Sequence, residues 1–345
     1  MKKAKLIVAA GVTAAVVIAA CAKVESTATN AASKRYFDAW VSLNWPDAPT
    51  IGDVVITNDV PGTGADVADS TWIFVKYTVR TLDGTVSETT ETEMSQQIGD
   101  YDPTYYYGAQ PWDIADDVVA VGIERAVKGS SLIEGAPYPS MKVGGKRSFI
   151  VPCWLGVSTR YDDEEDYLDN STSSSNYIYD LEITGCTDDI IQWQLDSMQR
   201  YSALHFDGAD TTSYGFYYIQ LKEPDDTVAM SDTTVYINYI GRLLNGQVFD
   251  TNIKDTAKMY NLYSESSTYE PAEISWSEDY EDITMDDNST IDGFAMALAM
   301  MNKHEKGICM FYSGLGYSYS GSGNTIPPYA PLIFEIELVD DPDDE

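Results

Sequence analysis

Two histidines, His205 and His304, are all the imidazole the chain offers. Catalysis by a histidine base or a histidine metal cluster therefore has little material. The orders H-E-x-x-H and G-x-S-x-G are absent, as are a Walker phosphate loop and a G-x-G-x-x-G following a strand. The acidic segments 161 to 176 and 277 to 289 carry carboxylates a calcium ion could use, but neither follows the spacing D-x-[DN]-x-[DN]-G. They read as solvated loops, and no carboxylate pair stands out for glycosidic chemistry. Cys153, Cys186 and Cys309 show no C-x-x-C spacing, so zinc and a redox pair are not indicated. They read as small apolar side chains, with a Cys153 to Cys186 bridge as the alternative. The C-terminal third holds an ordered series instead. It runs Tyr239-Ile240-Gly241, Leu244-Asn245-Gly246-Gln247-Val248-Phe249-Asp250, Ile291-Asp292-Gly293-Phe294, Gly307, Leu315-Gly316-Tyr317, Ile326-Pro327-Pro328 and Leu332 to Leu338.

Positioning such a series takes strands, and the strands repeat along the chain. WIFVKYTVRTLDG (72 to 84) aligns with VYINYIGRLLNG (235 to 246), placing Tyr77 on Tyr239 and Gly84 on Gly246. At the same offset Gly145 falls on Gly307, and the closing strands YIYDLEI (177 to 183) and LIFEIEL (332 to 338) also correspond. The repeat unit is domain-sized, which predicts two related domains and not a solenoid. Residues 34 to 43 form a helical stretch before the first unit, and 189 to 204 one before the second. In the latter, Ile190, Ile191, Trp193, Leu195, Met198 and Leu204 make an apolar face behind the capping Asp188 and Asp189, a linker helix packed on a neighbouring domain. TTVYINYIG alternates as a strand should, and Asn245-Gly246 predicts a hairpin. One short helix interrupts each unit, starting near Gly122 and near Asp292.

The ordered series resembles the FKBP-type peptidyl-prolyl cis-trans isomerase family, whose pattern runs Y-x-G-x-L-x-D-G-x-x-F-D, V-I-P-G-W, M-x-x-G, L-A-Y-G, I-P-P, L-x-F-x-V-E-L. The resemblance covers about residues 230 to 340. It implies an α+β fold of two FKBP-like domains, each an antiparallel β-sheet curved around one short helix, joined by a linker helix. It also implies an aromatic cup, with Phe294 as floor where the family has Trp, and Tyr239, Phe249 and Phe334 as walls. Ile291 would supply a backbone N–H to the substrate, Tyr317 a hydroxyl to a substrate carbonyl, and Asp250 would stand at the edge near the twisting amide. Asp292 replaces the family's Pro, and a long insertion separates Asp250 from Ile291.

Taken singly, buried Tyr and Phe on strands are core residues. As a cup they suit isomerisation. Rotation about X-Pro faces a barrier of about 18 to 20 kcal/mol because the amide C–N bond has double-bond character. The resonance form separates charge, so an apolar site weakens it, and a hollow that fits the twisted amide better than either planar form lowers the barrier with no nucleophile. About 4 to 8 kcal/mol would give a 10³ to 10⁶-fold gain.

The first unit keeps the frame: Tyr77, Asp83-Gly84, Gly122, Gly144-Gly145 and Tyr179. At the matching pocket positions it has Ser87-Glu88, Ile123 and Val157, which predicts poor proline binding and no isomerase activity. Its run YDPTYYYGAQPW (101 to 112) reads equally as contact surface for peptides, sugars or proteins and as a packed insertion.

Of 345 residues 55 are acidic and 21 basic, a formal net charge of -34, which argues against nucleic acid as a partner. Lys2, Lys3 and Lys5 precede an apolar run of roughly 15 residues, shorter than the about 20 a spanning helix needs, which reads as an export signal. Ile18 to Cys21 resembles a bacterial lipobox with Cys21 as the lipidated residue. The expected layout is a signal peptide over 1–20, a tether and short helix over 21–48, a degenerate FKBP-like domain over 49–186, a linker helix over 187–204, and an isomerase domain with an acidic tail over 205–345. The expected function is prolyl isomerisation that assists folding of exported proteins, at the bacterial cell envelope, lipid-anchored on the periplasmic face or cell surface. Proline-containing polypeptides would be the clients, the membrane would be met through the anchor, and no cofactor or metal is called for. The alternative is a non-catalytic lipoprotein that holds peptide or glycan, a nutrient-capture component among its forms.

Overall fold

The computed structural model describes residues 30–342 except 116–117, 160, 162–163, 170–174, 225–229, 231–232 and 287. Residues 1–20, expected to be an export signal, and Cys21 lie outside the described residues.

The structure mixes helices with two antiparallel sheets. The first comprises β1 (Thr50–Ile51), β2 (Val54–Val60), β3 (Trp72–Thr81), β4 (Val86–Thr89), β5 (Gln110–Asp113), β6 (Lys146–Val151) and β7 (Tyr177–Thr187). Its order is β1-β2-β6-β7-β3-β4, with β5 also on β3. The second comprises β8 (Phe216–Lys222), β9 (Thr233–Leu243), β10 (Val248–Thr251), β11 (Ala272–Trp276), β12 (Thr284–Met285), β13 (Asn288–Ser289), β14 (Lys306–Phe311) and β15 (Leu332–Val339). Its order is β13-β12-β11-β9-β15-β14-β8, with β10 also on β9. Laid over each other, β2-β6-β7-β3 matches β8-β14-β15-β9, and in each sheet two short strands pair with the outer side of the last of these, β4 and β5 with β3, β10 and β11 with β9. The sequence repeat is thus a repeat of topology.

Among the described residues seven helices accompany the sheets: α1 (Asn30–Asn44), α2 (Thr92–Ile98), α3 (Val121–Lys128), α4 (Glu164–Asp169), α5 (Ile190–His205), α6 (Lys254–Met259) and α7 (Asp292–Met300). Helices α3 and α7 lie in matching places. Gly293 lets α7 approach β14 closely, because a Cβ there would enter the Phe311 ring. Each sheet has its own apolar core, one around Ile73, Phe149 and Ile183, the other around Ile237, Phe311 and Phe334.

Asp189 caps α5 by accepting from the Ile191 and Gln192 N–H groups at 3.0 and 2.9 Å. The buried stripe of α5 is Ile190, Gln194, Met198 and Ser202. Trp193 stacks on Phe74 of the first sheet at 4.1 Å between centroids, and Met198 joins Tyr217, Met310 and Ile333 of the second. The helix therefore touches both sheets. Leu204, expected on the apolar face, is 80% exposed, because two residues beyond buried Ser202 it points from the opposite side of the helix.

Two further expectations change. The segment 161 to 176 contains α4, and 277 to 289 contains a 3-10 turn (Tyr280–Asp282) together with β12 and β13, so composition alone misread them as loops. Pairing of β11 to β9 and to β12 supplies backbone partners that an acidic composition does not exclude. Cys153, Cys186 and Cys309 are free, and the Cys153 to Cys186 bridge does not form. Cys153 and Cys309 are buried, while Cys186 is half-buried.

Candidate active site

The Asn245-Gly246 hairpin closes with Gly246 at φ +88°, and the Gly246 N–H donates to the Leu243 carbonyl at 2.9 Å. Beyond the turn β10 pairs with β9 through a bulge: Val248 faces Arg242, Asp250 faces Gly241, and Phe249 is the extra residue. The bulge turns the Phe249 ring over β9. Gly241 leaves the room, since a Cβ there would come within 2.6 Å of Phe249 and 2.9 Å of Phe334.

The rings converge on Phe334. Centroid distances to it are 5.0 Å from Phe294, 5.5 Å from Phe249 and 6.4 Å from Tyr239, and Tyr239 meets Phe294 edge-on at 5.8 Å. Such edge-to-face pairs are favoured by the ring quadrupoles. Exposure grades from the bottom outward. Phe294 and Phe334 are 4% and 5% exposed, Tyr239, Phe249 and Ile291 are half-buried, and Asp250 and Tyr317 are exposed.

The Tyr239 hydroxyl donates to Asp250 Oδ2 at 3.0 Å. Crowding by protein raises the Asp250 carboxyl above the usual carboxylate range although much of the residue surface is open, and the Tyr239 bond opposes that rise. Burial, then the Asp250 charge and the bond to it, push the Tyr239 hydroxyl far up. Tyr317 is pushed up by burial and by the charge of Asp250. Ile291 precedes α7, and its carbonyl accepts from the Phe294 and Ala295 N–H groups at 3.0 and 3.1 Å. Its own N–H has no acceptor among the described residues.

Tyr239, Phe249, Phe294 and Phe334 thus meet in one ring cluster, Asp250 is tied to it through Tyr239, and Ile291 precedes the helix that carries Phe294, while Tyr317 is linked to it through the charge of Asp250. Sequence reasoning missed Phe311, which stacks under Phe334 at 5.9 Å, and Gly241, although the Y-I-G triplet carried its signal. It also missed Asn252, whose side chain accepts from the Tyr239 N–H at 2.9 Å and holds β9 to the segment after β10. The insertion after Asp250 supplies α6 and β11, and Trp276 on β11 donates its indole N–H to the Leu298 carbonyl of α7 at 2.8 Å. The two histidines stand apart from the cup, His304 against Asp340 at 2.8 Å and His205 stacked on Tyr201. Among the described residues no three His, Cys, Asp or Glu side chains are arranged to hold a metal ion.

The first sheet places Tyr77, Glu88, Ile123 and Tyr179 at the matching positions. Glu88 faces Val79 across an equal bulge at Ser87, and Tyr77 donates its hydroxyl to Glu88 as Tyr239 does to Asp250. The Tyr-rich run is an internal interface. The Tyr106 N–H donates to the Asn324 carbonyl at 2.7 Å, Gln247 donates to the carbonyls of Thr104 and Tyr105, and the Tyr106 ring packs on the core of the second sheet.

A β-bulge hairpin, a short helix and a closing strand together bring aromatic rings against Phe334 in a domain of mixed helix and antiparallel sheet. Residues 225–339 match the model of the family described as FKBP-type peptidyl-prolyl cis-trans isomerase. The chain is 25% identical over 134 residues to the FKBP-type 22 kDa peptidyl-prolyl cis-trans isomerase of Escherichia coli, covering 39% of this chain and 53% of that protein. It is 29% identical over 131 residues to a probable FKBP-type peptidyl-prolyl cis-trans isomerase of Haemophilus influenzae, covering 38% and 44%. It is 32% identical over 107 residues to a probable FKBP-type 25 kDa peptidyl-prolyl cis-trans isomerase of Pseudomonas aeruginosa, covering 31% and 35%. The chain therefore spans about half or less of the length of the curated relatives it matches.

Proposed function

We propose that the chain is a peptidyl-prolyl cis-trans isomerase that works through the cup of its second sheet. The convergence of half-buried Tyr239 and Phe249 and buried Phe294 on buried Phe334 is the observation that carries this reading. Proline would enter over Phe294. The Ile291 N–H and the Tyr317 hydroxyl would hold substrate carbonyls on either side, and Asp250, kept in place by Tyr239, would face the twisting amide. Removing the amide from water weakens its charge-separated resonance form, so rotation becomes easier with no covalent step.

Residues 49–186 are read as an FKBP-like domain without isomerase activity, because Ser87, Ile123 and Val157 stand where the cup has Phe249, Phe294 and Tyr317. Export and lipidation at Cys21 would set the work at the cell envelope, on proline-containing polypeptides. Slow X-Pro isomerisation can limit their folding, with time constants of roughly 10 to 100 s.

A protease-coupled proline tetrapeptide assay on the purified chain tests the site. Phe249→Ala and Tyr317→Phe are expected to lower kcat/KM at least tenfold, and activity unchanged in both rejects it. No activity in the parent favours the second reading, a binding lipoprotein. That reading draws on a cleft of about 420 Å³ between the two halves, lined by Tyr105, Tyr106, Tyr107 and Asn324.

A further inference from the structure

The first sheet holds a cavity of about 320 Å³ lined by Tyr77, Val79, Ser87, Glu88, Trp112, Ile123, Tyr177 and Tyr179. It occupies the place of the cup but is lined differently. In the second sheet Gly241 makes room for the Phe249 ring; here Val79 stands on the strand and the bulge residue is Ser87, so one apolar wall is gone. A new wall replaces it. Trp112 pairs with Ile73 on β3, a register whose counterpart on β11 is the fully buried core residue Ile274. The Trp112 ring lies 4.8 Å from Tyr77, and Tyr179 is stacked on Phe149 at 5.3 Å.

Glu88 is exposed at the mouth and accepts from the Tyr77 hydroxyl. Among the described residues no Lys or Arg is paired with it. Arg80, the neighbour of Val79 but on the other face of β3, is tied to Asp180. A carboxylate beside the rings of one Trp and three Tyr is the chemistry that attracts a cation, which gains from the ring quadrupoles as it leaves water. A neutral isostere gains far less. The formal charge of -34 adds a field of the same preference. Ser87 and Glu88 also line the larger cleft, which continues past Thr89, Asp100 and Asn324. A side chain seated in the cavity would leave its main chain in that cleft.

We propose that this cavity binds the cationic side chain of a polypeptide segment, with Tyr77, Trp112 and Tyr179 as ring walls and Glu88 as the counter-charge. The first half is then a receptor for basic segments and not an empty copy of the second.

The test is calorimetric titration of the purified chain at about 0.15 M salt, where charges farther apart than roughly 8 Å are screened. The probes are three capped pentapeptides with Lys, norleucine or Pro between paired glycines. The Lys peptide is expected to bind saturably and at least tenfold more tightly than the norleucine peptide. Glu88→Gln, which keeps the acceptor for Tyr77, and Trp112→Leu are each expected to cost at least tenfold. Trp112→Phe keeps the packing and is expected to lose less. Isomerase activity on a Lys-free tetrapeptide is expected to be unchanged in all three variants, so failure here is distinct from failure of the isomerase reading. Equal binding of Lys and norleucine peptides, preference for the Pro peptide, unsaturable binding, or affinity indifferent to both Glu88→Gln and Trp112→Leu overturns the proposal.

Discussion

Asp250 is held between two opposing influences. Burial of its carboxyl raises the pKa, and the hydrogen bond from Tyr239 draws it partly back. The net direction is up, so the ionised form is disfavoured in the fold relative to the unfolded chain. That contribution to stability is full below the ordinary value of about 3.9 and is lost as pH rises through the higher folded value. Asp250→Asn removes the titration, so at pH 7 the variant is expected to melt no lower than the parent in a thermal scan. A drop of several degrees would mean that the bond to Tyr239 outweighs the burial. Its isomerase activity should fall while stability holds, separating the two roles. Tyr317 is 36% exposed and packs little, so Tyr317→Phe is expected to leave Tm within a degree or two and lower kcat/KM about tenfold, ~1.4 kcal/mol of transition-state binding.

Among the elements, the bulged hairpin of β9 and β10 decides whether a cup exists. Gly241 and Phe249 are one solution and Val79 with Ser87 is the other, both on the same register. Gly241→Val drives a branched side chain into Phe249 and Phe334 and should cost about 1 to 3 kcal/mol. Adding Phe249→Ser should recover most of that stability but no activity, which urea midpoints and the tetrapeptide assay would show. At the linker, Asp189→Ala removes the acceptor for two N-terminal N–H groups of α5 and should cost about 1 kcal/mol, read from the same denaturant curves.

At the scale of the whole molecule the halves are joined by more than α5. Trp72 meets Tyr329 at 4.9 Å, and Tyr106 reaches into the core of the second sheet. The loop that starts at Tyr317 is thereby braced by the first half through Asn324 and Tyr329. Tyr106→Ser is expected to split a single calorimetric transition into two, as the contact between cores is lost; one unbroken transition in the variant would assign the coupling to α5. A chain of charge -34 repels itself, so raising NaCl from about 10 mM to 0.5 M should raise Tm by screening.

Local signals were legible in the amino-acid order. Asn245-Gly246 specified the hairpin, the alternation of 233 to 243 the strand, and the repeated Tyr and Gly positions the matching of two sheets. The series from Tyr239 to Phe334 named the cup residues, each read within its own motif. The acidic segments failed as loops because composition reports solvation and not backbone pairing, and Leu204 failed because the buried stripe of its helix follows Ile190, Gln194, Met198 and Ser202, two of them polar, and leaves Leu204 on the far side. Tertiary structure alone decided that Trp112 would line a cavity against Tyr77 and that Tyr106 would serve the other half's core. Turns and periods are set by neighbours in the chain, whereas a side chain's wall or partner depends on which distant strands close beside it.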